Sequence, residues 1–147
     1  MTEKNVAKSI RSILTSQSFG ILATIGDEYP YCSVISFAFT DDLRQIIFVT
    51  RSDTTKFNNM RRDPCVSFVV ETTRNDADDL SRASVLTAYG CADMVVEKAS
   101  DLRGLISARH PDLKPFLAED DTVLMSITIK KYSLVSNFEA ITDFIPS

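Results

Sequence analysis

Three runs, Phe19-Gly20-Ile21-Leu22-Ala23-Thr24-Ile25, Tyr31 to Thr40, and Gln45-Ile46-Ile47-Phe48-Val49-Thr50, decide the fold. Each is short and rich in β-branched or aromatic residues. Tight polar turns follow the first two, at Gly26-Asp27-Glu28 and at Asp41-Asp42. Strands joined this tightly must be antiparallel, because a parallel pair needs a crossover of a dozen residues or more. Cys65 to Thr72 and Ala83 to Val96 extend the meander, with Gly90 marking an expected bulge or bend in the second. Thr122 to Phe138 completes it, alternating at Val123, Met125, Ile127 and Ile129.

Around these strands the period changes. Residues 2 to 18 read as an amphipathic helix, capped by Thr2 and apolar at Val6, Ile10, Ile13 and Leu14. Asp53 to Arg62 reads as a short helix with Asp53 as its cap and Asp63-Pro64 as its stop. Lys98 to Arg109 reads as a third, striped by Leu102, Leu105 and Ile106 and broken by His110-Pro111, with a further turn over Lys114 to Ala118. Arg74 to Leu80 is an acidic loop. The sum is an α+β fold, mainly β: a closed or nearly closed antiparallel barrel of about six strands with three helices, in one domain over residues 1–147. Closure removes the sheet edges that an open meander would expose.

Composition narrows the functions. Lys and Arg total 16 against 20 Asp and Glu, a net charge of -4, which argues against broad binding to nucleic acid or anionic membrane. No apolar run approaches the roughly 20 residues of a membrane helix, and the N-terminal Met1-Thr2-Glu3-Lys4-Asn5 is polar, so a cytoplasmic protein is expected. Cys32, Cys65 and Cys91 lie far apart in no metal-ligand spacing and are expected as buried free thiols. The four glycines are too scattered for a phosphate-cradling loop. The single histidine, His110, limits histidine catalysis and metal binding; its expected place is a helix end, against the last carbonyls. No metal site is expected, no side chain stands out as catalytic, and any redox chemistry would be carried by a cofactor.

The segment Val49-Thr50-Arg51-Ser52-Asp53-Thr54-Thr55-Lys56 runs from a strand into a helix, dense in hydroxyls and carrying two cations. A helix start adds unpaired N–H groups and the positive end of its dipole, which together suit a phosphate monoester. The same residues also fit an ordinary helix start with a solvated lysine, and composition does not choose between the two.

Order along the chain adds a resemblance. Ile21-Leu22-Ala23-Thr24, Pro30-Tyr31-Cys32-Ser33-Val34, Ile47-Phe48-Val49-Thr50, Thr55-Lys56 and Asp63-Pro64-Cys65-Val66-Ser67 resemble the pyridoxamine 5′-phosphate oxidase-like, FMN-binding split barrels, with Tyr89-Gly90-Cys91-Ala92 continuing the likeness. The resemblance implies a six-stranded antiparallel split β-barrel with about three peripheral helices. It also implies a homodimer sharing two FMN molecules, and oxidoreductase chemistry on an unknown small substrate. It maps cofactor contacts onto Ser33, Val34, Ile35 and Ser36 on the second strand. It adds Val49 and Thr50 at the end of the third, and Arg51, Ser52, Thr55 and Lys56 around the phosphate. Ser33 and Thr55 replace basic residues of the vitamin B6 oxidase, and the chain ends at Ser147 without that enzyme's arginine-rich segment. A family member other than that oxidase is therefore expected. The alternatives are a flavin carrier or sensor without turnover, and a barrel holding another cofactor such as haem.

Overall fold

The computed structural model describes residues 2–95 and 100–147. Helix α1, Glu3–Ser16, starts as its sequence dictates: the Thr2 hydroxyl accepts the Asn5 N–H, and Val6, Ile10, Ile13 and Leu14 are its buried face. Then come β1 (Phe19–Ile25), β2 (Pro30–Ser36), β3 (Ala38–Phe39), β4 (Gln45–Arg51), α2 (Thr55–Arg62) and β5 (Cys65–Glu71). The chain continues through α3 (Asp79–Arg82), β6 (Ser84–Met94), α4 (Ser100–Arg109), a 3-10 turn at Pro111–Leu113, and α5 (Lys114–Leu117). It finishes with β7 (Thr122–Ser136) and β8 (Ala140–Phe144).

All strand pairs are antiparallel, in the order β2-β1-β5-β6-β7-β4-β3, with β8 added to β7. The two ends of that path, β2 and β3, are consecutive pieces of one segment interrupted at Phe37. One stretch of chain is thus bonded to β1 by its first half and to β4 by its second, and the sheet curls into a barrel. Inside it Leu22, Phe37, Phe48, Phe68, Leu86 and Tyr132 are almost wholly buried, with Phe37 and Phe68 meeting edge to face at 5.1 Å.

Eight strands and five helices among the described residues exceed the expected six and three. The Tyr31–Thr40 run breaks at Phe37. The final run reverses at Asn137 and Phe138, which hold φ of 53° and 62°, to form β8. The additional helices, α3 and α5, are single turns, the latter where a turn was expected. Lys98 lies outside the described residues. At Gly90 the expected irregularity occurs: the β6–β7 register shifts between Tyr89 and Gly90.

Three expectations are corrected. The cap of α2 is Thr54, not Asp53, because the Thr54 hydroxyl accepts the Phe57 N–H at 3.3 Å. The cysteines are free but not buried: Cys32 and Cys65 are exposed and Cys91 is half-buried, since all three fall on outward positions of alternating strands. The His110 ring does not meet the last carbonyls of α4. Its Nε2 lies 2.7 Å from the Phe37 carbonyl, which the strand break has left outside the ladder. Among the described residues no helix is long and apolar enough to cross a membrane.

Candidate functional site

The barrel is split where its closing segment changes partner. β4 is bonded to β7 from Gln45 to Arg51 but to β3 only at Ile46 and Ile47. β2 is bonded to β1 along its whole length. Away from Phe37, therefore, one edge of β2 and the Phe48–Thr50 edge of β4 have no strand partner among the described residues, while the Arg51 carbonyl is taken by Thr54. The expected contacts on β2 and β4 fall along these two edges, and α2 begins where the β4 edge ends.

Strand alternation divides the β2 contacts. Ser33 and Ile35 face inward, opposite Leu22 and Gly20, and Ile35 is core. Val34 and Ser36 face outward, and Val34 is 69% exposed. A ligand lying along the edge would meet all four through backbone, and only one pair through side chains. The Ser33 hydroxyl is the notable member, because its oxygen is buried with no hydrogen-bond partner. Such a group costs about 1–3 kcal/mol unless something satisfies it.

On β4, Val49 packs toward the Ile47, Ile106, Leu117 and Leu124 cluster under α4 and α5. Thr50 is buried, and its hydroxyl meets that of Thr54 at 3.0 Å, while Thr54 also donates to the Arg51 carbonyl. These two threonines thus shape the turn. Arg51 is met by carboxylates from the far end of the chain, Glu119 at 2.6 Å and Asp121 at 3.0 Å, and its guanidinium lies over Phe116. Those carboxylates push its pKa further up. Ser52 donates its backbone N–H to the Asp121 carbonyl, leaving its exposed hydroxyl free.

Lys56, half-buried in the first turn of α2, has no carboxylate partner among the described residues, and desolvation lowers its pKa below the ordinary lysine value. A partly desolvated ammonium beside the exposed hydroxyls of Ser52 and Thr55 and an α-helix start is a site that gains from an anion. By their chemistry Lys56, Ser52 and Thr55 fit a phosphate ester, and the orphaned Ser33 oxygen on β2 fits a polar group of a ligand lying along that strand. Arg51 does not fit, because Glu119 and Asp121 already meet its charge. The Arg51 carboxylates, some seventy positions away, left no local signal in the sequence.

Separately, a shallow cleft of about 580 Å³ opens on the outer face of β1, β5 and β6, lined by Ala23, Ile25, Cys65, Tyr89, Cys91 and Lys130 among others. None of the expected cofactor residues borders it. Among the described residues no group of three or more His, Cys, Asp or Glu could hold a metal ion.

Barrel and split together define a split-barrel protein, open along the seam between β2 and β4. A family model described as Pyridoxamine 5′-phosphate oxidase matches residues 6–136, and the chain belongs to this family in its wider, oxidase-like sense rather than as the vitamin B6 oxidase proper. Solved structures share the fold at low identity. A heme binding protein from Mycobacterium smegmatis superposes with a TM-score of 0.84 at 17% identity, over 95% of this chain and 57% of that one. A protein from Agrobacterium tumefaciens gives 0.78 at 22% identity, over 90% and 57%. A FAD-binding protein from Mesorhizobium loti gives 0.69 at 18% identity, over 87% and 92%. The chain thus spans just over half the length of the first two. No curated protein matches the sequence.

Proposed function

We propose that this chain is an FMN-binding flavoprotein of the cytoplasm, acting as an oxidoreductase on a small substrate or nicotinamide. The observation that carries the reading is Lys56: a desolvated cation with no carboxylate partner among the described residues, on the first turn of the helix that ends the open seam. In this reading Lys56, Ser52 and Thr55 hold the phosphate, and the β2 edge from Ser33 to Ser36 lies along ribityl and ring. The Val49–Thr50 edge of β4 forms the opposite wall. Bound FMN supplies hydride and electron transfer. The chain's own part is to orient the ring and exclude water, with backbone N–H groups as donors to its pyrimidine edge. Family membership supports a flavin, as does the FAD-binding neighbour.

The haem alternative draws on the M. smegmatis neighbour. The Phe37 carbonyl engages Nε2 of His110, so any iron would have to be taken by Nδ1. Titration of the full chain with FMN, followed by flavin fluorescence, tests the proposal. Lys56→Ala is expected to weaken binding by about 1.5–3 kcal/mol, the scale of a charge-assisted hydrogen bond. Equal affinity in parent and variant would remove Lys56 from the site. A protein that binds haem but not FMN would favour the alternative. Turnover of reduced nicotinamide with an added acceptor separates enzyme from carrier.

A further inference from the structure

Cys65 and Cys91 are direct cross-strand partners at one end of β5 and β6, and both line the outer cleft. The Ala92 N–H donates to the Pro64 carbonyl at 2.8 Å, so the hydrogen-bonded pair is Pro64–Ala92. Its neighbour Cys65–Cys91 is then a non-hydrogen-bonded pair, the arrangement in which facing side chains come closest. Cα atoms in such pairs are about 4.5 Å apart, within the roughly 4.4–6.8 Å that a disulfide spans. The Cys91 thiol is among the lesser causes that raise the Cys65 pKa. Cys65 is exposed, so a small reagent can arrive from solvent.

We propose that Cys65 and Cys91 form a thiol–disulfide exchange site, which low-molecular-weight disulfides convert into an intrachain cross-strand disulfide. One cysteine, as thiolate, attacks a sulfur of the small disulfide, forming a mixed disulfide and expelling one small thiolate. The other cysteine then attacks the protein sulfur of that mixed disulfide and expels the second. Two protein thiols are oxidised, one small disulfide is reduced to two thiols, and the two protons lost by the cysteines go to the leaving thiolates. The second step is intramolecular, which gives it a large effective concentration over any attack by a separate thiol.

The charged groups around the pair set its pace. Asp63 accepts the Cys65 N–H at 3.1 Å, and its negative charge raises the Cys65 pKa, while Asp93 and Lys130 flank the pair from β6 and β7. Cys32 is an internal control. It lies on β2, two strands from Cys65 with β1 between them, a spacing of about 9–10 Å that no disulfide bridges. The product would fasten β5 to β6 immediately after the Asp63-Pro64 link from α2.

The test uses the reduced full chain in glutathione buffers of rising oxidised-to-reduced ratio, quenched by alkylation and mapped by peptide mass spectrometry. The expected result is a Cys65–Cys91 crosslinked peptide at a ratio roughly tenfold or more below that at which Cys32 gains a glutathione adduct. Cys32→Ser should leave the crosslink unchanged. Cys65→Ser and Cys91→Ser should each abolish it and leave a stable adduct on the remaining partner. Separate adducts on Cys65 and Cys91 in the parent would overturn the proposal. So would two alkylated thiols there at a ratio that fully modifies Cys32, or a link through Cys32.

Discussion

Tyr132 is fully buried, and its hydroxyl donates to the Leu43 carbonyl at 2.8 Å. Leu43 holds a φ of 64° while its own side chain is core, a left-handed backbone that costs a non-glycine residue about 1–2 kcal/mol. Apolar burial and the Tyr132 bond together hold it there. Tyr132→Phe leaves that carbonyl unpaired and is expected to lower stability by about 1–2 kcal/mol in urea unfolding. The pH dependence follows from the same burial, which pushes the Tyr132 phenol well above the usual tyrosine value, with the Asp42 charge as a lesser cause. The unfolded chain releases this proton near pH 10 while the folded one keeps it. Its contribution is therefore complete below about pH 10 and declines as pH rises further. The urea midpoint should fall as pH rises above about pH 10, and fall less in Tyr132→Phe. Equal decline in both proteins would show that Tyr132 is not the responsible group.

At the level of elements, the β6–β7 bulge depends on a missing side chain. A Cβ on Gly90 would lie 2.1 Å from the Thr128 carbonyl oxygen, which is backbone and cannot swing away. Gly90→Ala should therefore cost about 1–3 kcal/mol, read as a lower urea midpoint with an unchanged slope. An unaltered midpoint would mean that the two strands separate there easily. Gly90 was legible in the sequence because a lone glycine in a long strand run has few other uses, and β1 was legible to its boundaries because a short apolar run met a polar turn. β8 was not, since Asn137 and Phe138 make its turn without glycine. The interruption at Phe37 left no mark, because no glycine, proline or charged residue breaks the run from Tyr31 to Thr40. Lys56 and its hydroxyl neighbours stood out by local chemistry. The Arg51 carboxylates and the inward aim of Ser33 depend on partners far along the chain, which no local window contains.

For the molecule as a whole, the outer face of β1 and β2 is unusually apolar. Phe19 is 60% exposed and Val34 69%, with Ile21 directly across from Val34. Contiguous apolar surface of this kind commonly marks an interaction site, and it suits the homodimer that the family resemblance implies, without crowding the cysteine pair at the other end of β5. Val34→Glu would bury a charge in that contact, so it is expected to shift the light-scattering mass at micromolar concentration from dimer to monomer. A parent chain that is already monomeric would refute the dimer. The interruption at Phe37 has its own mechanical meaning. One residue of chain ties the two margins of the cylinder together, so neither margin can swing away without pulling on the other. Partial rupture there gains little entropy for the bonds it forfeits, and the molecule should come apart in one step rather than peel.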